Sequence, residues 1–323
     1  LVVAALPEAT PERRGLNSPD PSGSSVDPTP GANPIRQHLN NLNDAGSLYG
    51  AIIYQKAPIG MRKLEALVGK EQFREGMREY VRRFAFDNAT WPDLIAILDA
   101  RSDHDLVAWS RSWVEEAGMP DVRLSVLDGR LQLEERDVRG RGLTWPQDHL
   151  ISYGGPSGDD ASLVYDSRPE EGHALELTDL QPGDTIPPEA RFILPNRAGL
   201  GYAAYHVPEP FLHGLLESVN RIPDSVDRGA AWITLWEAVL NQEVDVAGFM
   251  QEAQSAVSTE SVELIRDRVS GYRRAAYWRF LTPADRLLRA DQLESLYMDA
   301  MDGTESARER YGFFKAWMDV VQT

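Results

Sequence analysis

Six histidines could bind a metal or carry a proton near neutral pH: His38, His104, His149, His173, His206 and His213. Their spacing argues against a metal site of their own. A helical His-Glu-x-x-His motif sets two imidazoles one turn apart, where both reach one ion, and no pair in this chain has it. His206 and His213 have Pro208 and Pro210 between them, which keeps them off a shared helix face. The chain has no cysteine, so disulfides, thiolate metal sites and a cysteine nucleophile are excluded. The acidic doublets Glu115-Glu116, Glu134-Glu135, Asp159-Asp160 and Glu170-Glu171 diverge on a helix or strand, so none makes an acid/base dyad. There is no phosphate loop and no dinucleotide fingerprint; Gly199-Leu200-Gly201 reads as a bend between strands. Trp109 with Trp113, and Trp232 with Trp236, sit one helical turn apart and read as core. Tyr54, in Tyr54-Gln55-Lys56, is a phenol on an amphipathic segment. Its own spacing reads as core packing with the hydroxyl on a partner.

The bulk numbers bound the partners. The 323 residues allow two or three domains with cores of their own, and 42% hydrophobic with 26% charged residues is ordinary for a globular chain. A net charge of -17 repels polyphosphate, which argues against nucleic acid and anionic membrane surfaces as partners. No apolar run approaches the ~18 residues of a membrane span. Leu1-Val2-Val3-Ala4-Ala5-Leu6 is short and lacks a basic flank; it reads as the tail of an interrupted helix, a cut end. The compartment stays open between cytoplasmic and exported.

The elements that must position any site follow from periodicity. Residues 1–33 read as a linker or disordered loop, broken by Pro7, Pro11, Pro19, Pro21, Pro28 and Pro30. Residues 34–120 read as helical. Leu48, Ile52 and Ile53 open one face, Met61, Leu64, Leu67 and Val68 follow, and Gly69 stops the helix. Phe73, Met77, Tyr80, Val81 and Phe84 form the next stripe. Thr90 with Asp93 predicts a capping box, and Asp105 predicts the cap of the helix carrying Trp109 and Trp113, which Gly118 and Pro120 end. Residues 121–208 change to a period of two. Val122, Leu124 and Val126 lead to an Asp128-Gly129 turn, with short strands expected near His149–Tyr153, Leu163–Tyr165, Ala174–Leu177, Arg191–Leu194 and Tyr202–Val207. About seven strands suggest a small β-sandwich. Residues 209–323 are helical again, with Thr282-Pro283 opening one helix, and suggest stacked pairs of the HEAT type. The fold class is α+β, multidomain and mainly α.

The order of residues from 46 to 120 resembles the aminopeptidase N family of zinc metallopeptidases, just after its zinc motif. The resemblance is carried by Gly46-Ser47-Leu48-Tyr49-Gly50-Ala51-Ile52-Ile53-Tyr54-Gln55-Lys56, by Met61-Arg62-Lys63-Leu64-Glu65, by Asn88-Ala89-Thr90-Trp91, and by Asp105-Leu106 through Trp113 to Gly118-Met119-Pro120. Tyr54 matches the family's oxyanion-stabilising tyrosine and Lys56 its lysine; Gln55, Ala57 and Pro58 depart from the acidic, glycine and alanine residues of that run. Ile193-Leu194-Pro195-Asn196 with Gly201-Tyr202 looks like the end of the family's β-sandwich, and Asp227-Arg228 like the opening of its helical domain.

The resemblance implies the C-terminal part of a zinc aminopeptidase. It would hold the helical lobe of a thermolysin-like catalytic domain (34–120), a β-sandwich (121–208) and a HEAT-like array (209–323). The parent would carry zinc and a general-base glutamate before Leu1, cleave N-terminal residues from peptides, and use Tyr54 at the oxyanion. The partners implied are the peptide substrate and the missing N-terminal half. This chain alone would bind no zinc and hydrolyse nothing. The alternative is a non-catalytic interaction or scaffold module of the same fold. Titration of the isolated chain with zinc by calorimetry is expected to show only weak binding without fixed stoichiometry. A stoichiometric site tighter than micromolar would overturn that reading.

Overall fold

The structure, a computed structural model, describes residues 33–37, 56–156 and 175–321. Tyr54, His38, His173, the linker at 1–32 and the expected strand at Leu163–Tyr165 lie outside the described residues. The described chain is mainly helical with two three-stranded sheets. It divides into two compact units, residues 1–150 with 200–206 and residues 151–199 with 207–323.

In the first unit, α1 (Ala57–Val68) has Pro58 in its first turn, where the missing N–H leaves no helical bond unmade. Gly69, at φ 85°, ends α1 and starts α2 (Lys70–Arg83), a backbone angle that suits glycine. Helix α3 (Trp91–Asp99) opens on the expected capping box, with the Thr90 N–H donating to the Asp93 carboxylate at 2.9 Å. Asp105 caps α4 (Leu106–Ser110) by accepting from the Ala108 N–H at 2.8 Å. The helix then widens into a π turn, Arg111–Glu115, closed by the Glu116 N–H on the Arg111 carbonyl at 3.0 Å. That turn carries Trp113 into the core, where it stacks on Trp109 at 6.0 Å beside Leu64, Leu98, Leu106 and Trp145.

Strands β1 (Asp121–Leu127) and β2 (Arg130–Arg136) form an antiparallel hairpin with Leu127 opposite Arg130. The two turn residues, Asp128 at φ 50° and Gly129 at φ 73°, are both left-handed, as a twist-matched two-residue hairpin requires.

The second unit holds β3 (Ile151–Pro156), β4 (Leu175–Leu180) and β5 (Phe192–Leu194), in the order β4-β3-β5 with both pairings antiparallel. Strand β6 (Ala204–His206) returns to the first unit and runs parallel to β1, giving the order β2-β1-β6. The expected run of strands is therefore shared between two sheets in different units. Five helices complete the second unit after α5 (Glu209–Ser218) in order: α6 (Ser225–Leu240), α7 (Val246–Thr259), α8 (Glu263–Phe280), α9 (Pro283–Asp302) and α10 (Ala307–Val321). Thr282 caps α9 as expected, accepting from the Asp285 N–H at 3.2 Å. Helix α6 is central: Ala231, Trp232, Leu235, Trp236 and Val239 are all buried, and Phe249 of α7 meets both tryptophans.

Helix α5 packs on β5 through Gly214, where an added Cβ would collide with the Arg191 carbonyl oxygen and come within 2.9 Å of its carbon. Backbone atoms cannot step aside as a side chain can. Gly214→Ala is therefore expected to destabilise the second unit by about 3 kcal/mol, read as a lower urea midpoint at unchanged slope. A midpoint equal to that of the native chain would show that α5 and β5 are not in this contact.

Candidate functional site

Lys56 stands immediately before α1 and is fully buried. Its Nζ donates to the Gly118 carbonyl at 2.5 Å and lies 5.7 Å from the centre of the Tyr202 ring. A buried ammonium must find acceptors in place of water, so this bond fixes where α1 begins. Gly118 takes φ 112°, open to glycine and rarely to other residues, and its neighbours Ala117 and Met119 are buried.

The acceptor segment is held from a second direction. Arg141 Nη1 donates to the Ala117 carbonyl at 2.8 Å, while its Nε and Nη2 grip the Asp137 carboxylate at 3.1 and 3.0 Å. Asp137 also accepts from the backbone N–H groups of Arg139 at 3.1 Å and Arg141 at 2.8 Å. Burial pushes the Asp137 carboxyl up, but the Arg141 fork and the two backbone donors outweigh it and hold its pKa at about 2 rather than 3.8. Tyr202 is pinned in turn by Gln147, whose amide exchanges two bonds with the Tyr202 backbone at 2.9 and 3.0 Å, and its ring lies 6.1 Å from Trp113. On α1, burial lowers the Lys63 pKa to about 8, against the raising field of Asp148 and with that of Arg62.

The described histidines each have surroundings of their own. His206 Nε2 meets Asp121 Oδ2 at 2.7 Å, and His149 lies between the Tyr205 hydroxyl at 3.0 Å and Glu135 at 3.5 Å. His213 pairs with Glu217 on the surface, and His104 is exposed. Among the described residues no group of three or more His, Asp, Glu or Cys could hold a metal ion. No described helix is long and apolar enough to cross a membrane.

Residues 13–113, which include Lys56 and run into the π turn, match the Peptidase family M1 domain. The chain is also similar to aminopeptidases along part of their length. It is 27% identical to aminopeptidase N of Streptomyces lividans over 246 residues, 73% of this chain and 29% of that protein. It is 32% identical to leucyl aminopeptidase of Saccharolobus solfataricus over 102 residues, 32% of this chain and 13% of that protein. The crystal structure of Legionella pneumophila aminopeptidase A in complex with aspartic acid shares the fold, with a TM-score of 0.52 and 14% identity over 93% of this chain and 38% of that one. The chain thus spans less than a third of the length of these curated relatives. M1 peptidases are generally zinc-dependent, and the described residues do not fit a zinc site.

Tyr54, the site residue expected from sequence, lies outside the described residues, while Lys56, two positions on, is anchored. The residues that sequence reasoning missed are Asp137, Arg141 and Gln147. Their only local signal was charged and amide side chains in a Gly- and Pro-containing loop.

Asp137→Asn is expected to cost about 2 kcal/mol at pH 7, the scale of a lost charged hydrogen bond. Because folding lowers this pKa, its stabilisation is present above 3.8 and fades as pH falls toward 2. The native and Asp137→Asn unfolding midpoints, followed by tryptophan fluorescence, should therefore converge across that window. Parallel curves down to the acid limit would remove Asp137 from this role.

Proposed function

We propose that the chain belongs to a zinc aminopeptidase and supplies the part of it that follows the metal motif. In this reading residues 34–120 are the helical lobe of the catalytic domain, 121–208 a small β-sandwich and 209–323 a HEAT-like helical array. Residues outside those described supply the metal ligands and the general base. The Tyr54 phenol donates a hydrogen bond to the oxyanion that forms at the attacked peptide carbonyl. Aminopeptidase relatives on the same stretch support the reading.

The observation that carries it is Lys56. A lysine at the matching place in the motif is fully buried and tied across 62 positions to Gly118. That tie anchors Lys56, two positions after Tyr54 in sequence; a donor aimed at a transition state needs such an anchored motif and a surface tyrosine does not.

The test is Tyr54→Phe in the zinc-loaded gene product that carries this chain, assayed on aminoacyl anilides. An oxyanion donor helps the transition state more than the ground state, so kcat should fall by about 10²–10³ with KM and melting temperature little changed. Full turnover with stability lowered by about 1 kcal/mol would make Tyr54 a packing residue instead. Absence of hydrolysis in the native protein would favour the interaction module.

A further inference from the structure

Helix α8 presents two buried arginines to the second unit, and they are treated very differently. Arg266 is satisfied: its Nη2 donates to Glu309 at 2.8 Å and its Nη1 to the Glu260 carbonyl at 3.0 Å. Arg273, two turns further along, is only 1% exposed, and neither Nη1 nor Nη2 has a hydrogen-bond partner. Its guanidinium lies 4.7 Å from the centre of the Tyr297 ring on α9. Stacking on a ring engages the flat face of a guanidinium and leaves its in-plane N–H edge needing acceptors. Burial correspondingly lowers the Arg273 pKa, with Tyr297 opposing.

Three carboxylates around the N-terminal half of α8 serve other arginines. Glu309 serves Arg266, Glu260 holds Arg228 through two bonds at 2.6 and 2.9 Å, and Glu263 pairs with Arg308 at 2.6 Å. Val269, Tyr272, Ala276 and Tyr277 are the other side chains that α8 buries within about a turn of Arg273. A guanidinium enclosed in this way is rarely left uncompensated in a folded protein.

We propose that the Nη1–Nη2 edge of Arg273 holds a small monovalent anion, chloride in ordinary salt, inside the second unit. One fixed positive charge matches one negative charge. A doubly charged phosphate or sulfate would need a second cation and would lose far more hydration on entering an apolar enclosure. A fork of two N–H donors suits a single spherical ion as well as a carboxylate.

The chain is melted in sodium gluconate and in sodium chloride at matched ionic strength. Chloride is expected to raise Tm saturably, by roughly 5 °C at the highest concentration, as binding to the folded state alone requires. Arg273→Met should abolish the rise, and Arg273→Lys, which keeps one charge but loses the fork, should weaken it. Equal Tm in the two salts for the native chain, as a buried water would give, overturns the proposal; so does an undiminished chloride shift in Arg273→Met. Should that variant fail to fold, chloride-35 line widths on the native chain decide. Excess width that saturates and is displaced by bromide supports the site, and no excess width refutes it.

Discussion

A buried ammonium organises the first unit. Lys56 has no contact with water, so its charge must be met by protein oxygen, and the Gly118 carbonyl meets it. That carbonyl can serve only if the chain after the π turn bends into a conformation suited to glycine, which it does at φ 112°. The bend is stabilised by Arg141 on the Ala117 carbonyl, Arg141 is oriented by Asp137, and Tyr202 is locked by Gln147 beneath the ammonium. Four separated stretches of chain are thereby required to agree on one geometry. A lysine placed this deep ties the start of α1 to the chain that follows the π turn.

In the second unit apolar contact sets the frame and polar groups set the register. Trp232, Trp236, Phe249 and Tyr272 form an aromatic core, with Trp236 and Tyr272 stacked at 5.0 Å. Around it Asp224 caps α6 and Arg228 grips Glu260. These charged groups are partnered, whereas the Nη1–Nη2 edge of Arg273 is bare.

What the sequence disclosed was local. The stop at Gly69, the Thr90–Asp93 box, the Asp105 cap, the Asp128-Gly129 turn and the Thr282-Pro283 start all depend on residues within a few positions of one another, and all are present. Pairings between distant segments were not legible. Nothing in Ala204-Tyr205-His206 says that it will lie parallel to Asp121-Val122-Arg123, or that the strands between belong to another unit. The π turn at Arg111–Glu115 was hidden because its pattern differs from an α-helix only in which carbonyl each N–H finds. Val126, expected on the inner face, is 40% exposed, although Leu131 opposite it is fully buried. The role of Tyr54 came from resemblance, since a tyrosine in an amphipathic segment carries no chemical signature of its own.

The parallel return of β6 has a consequence for how the chain is made. The first unit is discontinuous: its sheet is completed by residues 204–206, after an excursion from 151 to 199 that builds part of the other unit. A ribosome adding about 5–20 residues per second emits that excursion over roughly 3–10 seconds. Throughout that interval the open side of β1 offers backbone donors and acceptors to any strand that passes. The nascent chain therefore spends its most vulnerable period with the first unit nearly complete. Its safety then depends on how quickly the intervening β3–β5 segment folds away on its own.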